Sequence, residues 1–171
     1  MKTCKLLREQ VAAATGSKKA ELVLKNAQIV NVFTQSVETG DIAIEGGYIV
    51  GIGNYEGITE KDLGGAYVCP GFLDGHIHIE SSMTSPGEFE RAVVPHGTIA
   101  VITDPHEIAN VAGTAGIRFM MQSAQKLDLD VYFMLPSCVP ATDLDESGAE
   151  LLARDLEPFY ADEKVLGLAE M

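Results

Sequence analysis

The stretch Pro70-Gly71-Phe72-Leu73-Asp74-Gly75-His76-Ile77-His78-Ile79-Glu80-Ser81-Ser82 decides the fold of this chain. Its apolar residues, beginning with Phe72 and Leu73, predict a buried strand, and its second half alternates polar with apolar residues. In an extended strand, side chains at positions i and i+2 leave on the same face. His76 and His78 would therefore present two imidazoles side by side, which suits one metal ion. The alternative is a polar strand face with two hydrogen-bonded histidines.

The amino-acid composition is typical of a folded globular protein. The 171 residues are 46% hydrophobic and 22% charged, which is outside the range of disordered chains. The formal net charge is −13. Nucleic acids and anionic membranes both require a basic protein surface, so neither is an expected partner.

Cysteine usage and the first residues predict a cytoplasmic location. Cys4, Cys69 and Cys138 are odd in number and widely spaced, so they form neither a disulfide framework nor a Cys-x-x-Cys metal pair. The polar residues 8–10 interrupt any apolar core of a signal peptide. No apolar run approaches the ~18 residues that a membrane span needs.

The first part of the chain predicts a short helix and a small sheet. Apolar residues recur at helical spacing within residues 5–14, and the period then changes to two. Gly46-Gly47 is typical of a tight hairpin turn. Four short strands cannot close a barrel, so they should form a small antiparallel sheet that needs a further element to bury its apolar face. The predicted strands are 21–24, 27–32, 41–45 and 48–53.

After Cys69, apolar strands alternate with helices at a spacing of roughly 30 residues, which favours parallel βαβ units. Their near-continuous apolar character is expected where a parallel sheet is covered on both faces. The predicted strands are 72–79, 98–103, 131–135 and 165–169, and the predicted helices are 86–94, 108–127 and 148–159.

Four such units are half of a (β/α)₈ barrel, which usually needs about 250 residues. The predicted fold class is therefore α/β, with the N-terminal half of a barrel after a short helix and a small antiparallel β-sandwich module. Residues 1–68 would form the helix and part of this module, and residues 69–171 the first four strands and intervening helices of an incomplete barrel. We expect the chain to be part of a longer enzyme, because a bare apolar edge strand invites aggregation. The alternative is a small open α/β domain.

Ligand-capable residues cluster where the predicted parallel strands end. His76 and His78 end the first strand, His106 and Glu107 follow the second, and Glu170 follows the fourth. In parallel barrels, the functional groups lie at these C-terminal strand ends. The remaining histidine precedes a glycine at the start of the second strand, where a structural role is expected.

Two imidazoles and a carboxylate from another strand can begin a site for a divalent transition metal. If Glu170 bridged two ions, the pair could supply hydroxide at neutral pH; a solvated carboxylate is the alternative. His106 and Glu107 suit proton transfer or a further metal contact, and Asp104 suits a helix N-cap.

Several other chemistries are excluded by missing motifs. Neither a Gly-x-Gly-x-x-Gly loop nor a phosphate-binding Gly-Lys-Ser/Thr loop is present. Ser81-Ser82 lacks the Gly-x-Ser-x-Gly elbow of serine hydrolases. His78-Ile79-Glu80 is similar to the His-x-Glu of cytidine-type zinc deaminases, but the Pro-Cys-x-x-Cys that should follow is missing.

Residues 70–78 resemble the strand-one signature of the amidohydrolase superfamily, and the small β-module before them matches its plan. Asp104-Pro105-His106-Glu107, together with 135–141 and 167–171, closely resembles the bacterial-type adenine deaminase family. The resemblance covers nearly the whole chain, and its Asp-Pro-His-Glu segment is far more specific than His-x-His.

The resemblance implies hydrolysis of adenine to hypoxanthine and ammonia in purine salvage, at a binuclear divalent metal centre. Manganese or iron would be the usual metal, with zinc as a further option. His76 and His78 would bind one metal and Glu170 would bridge the pair, while His106 and Glu107 are the catalytic candidates. The remaining ligands would come from later strands, so the 171-residue chain alone should be inactive and bind metal weakly. The full-length protein is expected to be a homo-oligomer.

Two alternatives stay open. A dihydroorotase-like or imidazolone-hydrolysing enzyme would share the His-x-His strand, but many such enzymes use a carboxylated lysine where this chain has Glu170. Lys164 lies several residues too early to be that lysine. The second alternative is a non-catalytic binding module that retains half a barrel.

Overall fold

The structure is a computed structural model that describes residues 4–170. The chain divides into two compact units, and the boundary between them in the sequence lies between Pro70 and Gly71. Each unit contains a β-sheet of its own.

The first unit consists of one helix and five strands in the part of the chain that is described. The helix confirms the prediction for residues 5–14, and the strands include two that the alternation of apolar residues did not reveal. These elements are α1 (Cys4–Ala14), β1 (Ala20–Asn31), β2 (Ser36–Glu45), β3 (Tyr48–Gly53), β4 (Gly57–Asp62) and β5 (Tyr67–Val68).

The sheet of this unit is mixed, so the prediction of an antiparallel sheet is wrong. Its order is β3-β2-β1-β4, and β5 also pairs with β1. β2 is antiparallel to β1 and β3, whereas β4 and β5 run parallel to β1. The connection 54–56 carries the chain from β3 to the other side of β1. β4 was missed because five of its six residues are exposed, so burial imposes no alternation on them.

A turn and a bulge shape the antiparallel strands. Gly46 and Gly47 adopt φ values of 57° and 77°, which glycine adopts without strain, and the predicted hairpin turn is confirmed. β1 is a single strand where two were predicted. Its register shifts between Leu24 and Ala27, and Asn26 adopts a positive φ of 56° within the shift.

Helix α1 buries a different face from the one that its apolar spacing indicated. Gln10 and Ala13 are buried, while Leu7 and Val11 are each 54% exposed. The Gln10 side-chain amide donates to the Glu45 carbonyl oxygen at 3.2 Å, so a polar contact lies on the buried face of the helix.

The second unit alternates strands with helices, as predicted. Its elements are β6 (Phe72–Ile77), α2 (Pro86–Val93), β7 (Thr98–Thr103), α3 (His106–Ser123), β8 (Asp130–Leu135), α4 (Ala153–Leu156) and β9 (Val165–Leu168). The predicted helix 148–159 is shorter than expected, because α4 gives way to a 3₁₀ turn over Glu157–Ala161. α3 is interrupted at Gly113, whose φ of 59° and ψ of −141° are not helical.

The four strands form a parallel sheet in the order β6-β7-β8-β9. A mixed α/β unit with a parallel sheet is therefore confirmed. Two buried apolar clusters form the core of the unit. The first contains Ile79, Phe89, Val101, Met120, Leu129, Val131 and Phe133, and the second Ala109, Ile117, Leu135, Val139, Leu156 and Phe159.

β6 is exposed, contrary to the prediction of a buried strand. Phe72 is 59% and Leu73 72% exposed. β6 is the first strand in the order of the sheet and pairs only with β7 among the described residues. Within residues 4–170, no helix combines the length and the apolar character needed to cross a membrane.

Asp41 is a nearly buried carboxylate of the first sheet with several hydrogen-bond partners. Its side chain, 10% exposed, pairs with the Lys25 ammonium at 2.5 Å and accepts backbone N–H bonds from Asn26 at 3.1 Å and Tyr55 at 3.4 Å. Burial by itself would raise the pKa of Asp41. The hydrogen bonds outweigh burial and hold this pKa below its ordinary value.

A depressed pKa makes the folded state bind protons less tightly than the unfolded state. The stability contributed by Asp41 should therefore be complete above its unfolded pKa of about 3.9 and be lost as the pH falls through the lower folded-state value. We expect Asp41→Asn to lower the free energy of unfolding at pH 7 and to flatten its decline below about pH 5.

Urea unfolding at a series of pH values measures both effects. Glu56→Gln is the matched control in the same unit, because Glu56 is 75% exposed and pairs with the exposed Lys19. If the free energy of unfolding fell as steeply with decreasing pH in Asp41→Asn as in the unmodified chain, the proposed contribution of Asp41 to stability would be contradicted.

Candidate metal centre

The end of strand β6 brings two imidazoles together. His76 is in the strand and His78 is one residue beyond it. Their Nε2 atoms are 3.1 Å apart, and the rings meet edge to face at 75° with centroids 5.0 Å apart. The two side chains share one side of the strand, as the i and i+2 spacing requires.

Glu170 joins the two histidines from the far strand of the sheet. Its Oε2 lies 3.4 Å from His76 Nε2, and its Oε1 lies 3.5 Å from His78 Nε2. One potential ligand atom from each of the three residues lies within 4.8 Å of the others. The backbone places Glu170, because Ala169 N donates to Leu135 O at 2.8 Å and continues the β8–β9 pairing.

The outer nitrogen of His78 faces a carboxylate. His78 Nδ1 is 3.1 Å from Glu107 Oε2, and the Ser81 hydroxyl donates to Glu107 Oε1 at 2.7 Å. Glu107 lies in the first turn of α3, and Ser81 lies in the 3₁₀ turn Ile79–Ser82 that follows β6.

The electrostatics of this group favour a cation. Burial by itself would lower the pKa of His78, but the carboxylates of Glu107, Asp104 and Glu170 outweigh it and raise that pKa. Burial would raise the pKa of Glu107, yet hydrogen bonds and the nearby His78 keep it below its ordinary value. Two imidazole nitrogens and a carboxylate in a negative environment are a donor set that fits a divalent transition metal.

His106 is fixed by two other contacts. Its Nδ1 is 3.2 Å from Asp104 Oδ2, and its Nε2 donates to the carbonyl oxygen of Cys138 at 2.9 Å. Asp104 therefore pairs with a side chain and does not cap the helix, since the residue before α3 is Pro105. The rings of His78 and His106 have centroids 6.5 Å apart.

Two further carboxyls lie near the centre, the buried Asp104 and the half-buried Glu80. The side chain of Asp104 is fully buried, and Glu80 accepts the backbone N–H of Ile108 at 3.3 Å. Each has one buried oxygen without a hydrogen-bond partner. Burial raises the pKa of both groups.

Sequence reasoning placed all five candidate residues at strand ends but missed their supports. Ser81, Asp104 and the Cys138 carbonyl were not assigned to the site. The one sequence feature that pointed to Asp104 was the following Pro105, which ends the strand sharply at that residue.

Lys164, which the sequence analysis rejected as a carboxylated lysine, is not part of the site. It pairs with Asp130 at 2.6 Å, at the opposite end of β8.

The fold and the site define a parallel α/β protein with a two-histidine, one-glutamate cluster at its strand ends. Residues 67–169 match the model of the amidohydrolase family. The chain belongs to this family.

The curated relatives with high similarity are adenine deaminases. The chain is 57% identical over 167 residues to adenine deaminase 2 of Carboxydothermus hydrogenoformans. It is 58% identical over 165 residues to the adenine deaminase of Geobacillus kaustophilus. These alignments cover 98% and 96% of this chain but only 29% of each relative. The chain thus spans less than a third of the length of the relatives it matches.

A solved structure shares the fold. It is that of N-acyl-D-glutamate deacylase from Bordetella bronchiseptica, complexed with zinc and a phosphonate inhibitor. The similarity covers 69% of this chain and 30% of that one, with a TM-score of 0.52 and 17% sequence identity.

The contacts of His106 predict a structural cost for its removal. His106→Ala should lower the free energy of unfolding by about 1–3 kcal/mol, because Asp104 would lose its side-chain partner while staying buried. Urea unfolding measures this change. The exposed His96 supplies the control, and His96→Ala should change stability by less than about 0.5 kcal/mol. Equal, small effects of the two substitutions would contradict the prediction.

Proposed function

We propose that this chain provides the first metal ligands of an adenine deaminase. The observation that carries the proposal is the convergence of His76, His78 and Glu170 within 4.8 Å. The chain has high identity to adenine deaminases along nearly its whole length. This identity supports adenine as the substrate rather than the substrates of other amidohydrolases. The activity would belong to a longer protein, since the relatives are more than three times as long.

For the fold, we propose that residues 69–171 are the first half of a (β/α)₈ barrel and residues 1–68 part of a β-sandwich module. Adjacent strands are about 4.8 Å apart, so β6 and β9 would be about 14 Å apart in a flat sheet. Their side chains nevertheless meet at 3.4 Å, which supports a curved sheet. Leu73, Leu166 and Leu168 are 51–72% exposed on the outer strands, where further strands would cover them.

The metal would be divalent, with manganese or iron as the first choices and zinc as a further one. His76 and His78 would hold one ion through Nε2, and Glu170 would bridge to a second. A divalent cation supplies Lewis acidity and lowers the pKa of a water molecule toward neutrality.

Deamination replaces the exocyclic amino group of adenine by oxygen. The C6–N bond breaks, a C6–O bond forms, and ammonia leaves with a proton from the attacking water. His106 and Glu107 are the proposed catalytic residues for proton movement. Both ring nitrogens of His106 already have partners, so His106 could transfer a proton only after one contact opens. Glu107 is 47% exposed and more accessible.

Assembly and location complete the proposal. We propose a homo-oligomer of the full-length protein, acting on adenine in the cytoplasm.

Metal binding tests the ligand assignment directly. We expect His76→Ala, His78→Ala and Glu170→Ala each to weaken zinc or manganese binding by this chain at least about tenfold, because each removes one ligand. Competition with a chromogenic chelator measures the affinity. His96→Ala is the control and should bind as the unmodified chain does; equal affinity in all four variants would exclude the site.

Activity tests the substrate. In the full-length protein that contains this chain, His78→Ala should reduce kcat/KM for adenine by roughly 100-fold or more, while His96→Ala should stay within about twofold. Loss of adenine absorbance as hypoxanthine forms is the assay. The 171-residue chain alone should show no turnover. Hydrolysis of dihydroorotate or an imidazolone, with none of adenine, would overturn the proposed substrate.

A further inference from the structure

We propose that Glu107 and Ser81 are positioning residues for His78, holding its ring so that Nε2 faces the metal position. The inference rests on the proposed metal site and adds the residues that orient one of its ligands. It gives Glu107 a role exerted through His78, in addition to the proton transfer proposed for it above.

The hydrogen-bond chain determines which nitrogen of His78 carries the proton. A carboxylate has no proton to donate, so Glu107 Oε2 can only accept, and His78 Nδ1, at 3.1 Å, must be the donor. A neutral imidazole with its proton on Nδ1 has a lone pair on Nε2. That lone pair points to the side where His76 Nε2 lies 3.1 Å and Glu170 Oε1 3.5 Å away.

Ser81 fixes the orientation of Glu107. Its hydroxyl donates to Glu107 Oε1 at 2.7 Å, which leaves Oε2 for His78. Both oxygens of the carboxylate are therefore engaged in the same chain of contacts. A group that moved protons to and from a substrate would need one of these contacts to open first.

The backbone makes this arrangement rigid. Ser81 N donates to His78 O at 3.1 Å and closes the turn after β6. Ile108 N donates to Glu80 Oε1 at 3.3 Å and ties the first turn of α3 to the same 3₁₀ turn. His78, Ser81 and Glu107 thus belong to two elements that are bonded together beside the ligand.

A carboxylate on the far nitrogen of a ligating histidine fixes the tautomer and raises the basicity of the ligand. Loss of such a partner typically costs about 10–100-fold in metal affinity. We therefore expect Glu107→Ala to weaken zinc binding by about 10–100-fold. Glu107→Gln should recover part of the loss, because the amide oxygen can still accept from Nδ1.

Ser81 has a matched control at the next position. The Ser82 hydroxyl donates to Ile79 O and contacts Thr84, and within residues 4–170 these hydrogen bonds do not involve His78 or Glu107. Ser81→Ala should weaken zinc binding by a factor of about 3–10, and Ser82→Ala should leave it unchanged. Because Ser81 acts through Glu107, adding Ser81→Ala to Glu107→Ala should cause no further loss.

The experiment is zinc competition with a chromogenic chelator for each variant of the full-length protein that contains this chain, with urea unfolding to verify that each is folded. Long-range ¹H–¹⁵N spectra of the zinc-loaded protein should show the His78 proton on Nδ1, in slow exchange with solvent. Exchange of this proton should accelerate in Glu107→Ala. Glu107→Gln keeps the side-chain shape and serves as the test if the alanine variant does not fold.

The results separate this inference from the proposed site. If His78→Ala weakens zinc binding and neither Glu107 variant does, the positioning role is overturned while the metal site stands. If the full-length protein that contains this chain binds no zinc, both are overturned. Unchanged zinc affinity with lost adenine turnover in full-length Glu107→Ala would assign Glu107 to proton transfer alone and overturn positioning.

Discussion

The close approach of His76, His78 and Glu170 is the constraint on which the rest of the second unit depends. The first two residues come from one outer strand of the parallel sheet, and the third follows the other outer strand. They can meet only if the four strands share one direction and the sheet curves. Their Nε2 and carboxylate atoms, within 4.8 Å of one another, would repel or compete for protons unless a proton or a cation lay between them.

Around this group, the protein uses carboxyls and backbone carbonyls as supports. His78 faces Glu107, and His106 is held between Asp104 and the Cys138 carbonyl. The Ser137 hydroxyl donates to the Glu170 carbonyl oxygen at 3.0 Å. These contacts join the ends of four strands and the start of α3. Family membership, the common direction of the four strands and the negative surroundings of His78 therefore lead to the same interpretation of the site as a cation-binding one.

The sequence predicted most of the second unit and less of the first. In the second unit, the apolar runs predicted bounds for β7, β8 and β9 that are close to the observed ones. In the first unit, β4 and β5 carry exposed polar or very short sequences, so no periodicity marked them. In α1, the apolar spacing did not reveal the buried face: Leu7 and Val11 are exposed, and the buried Gln10 donates a hydrogen bond to the Glu45 carbonyl oxygen.

By itself, the sequence determined that His76 and His78 share a strand face and that Glu170 ends a later strand, because two-residue periodicity and strand direction are local properties. The tertiary structure decided which groups touch. The pairing of Glu107 with His78 spans 29 residues and that of His106 with the Cys138 carbonyl spans 32. Such contacts depend on register, sheet curvature and the packing of α3. Those are set by the sum of many weak long-range interactions, which no short stretch of sequence encodes.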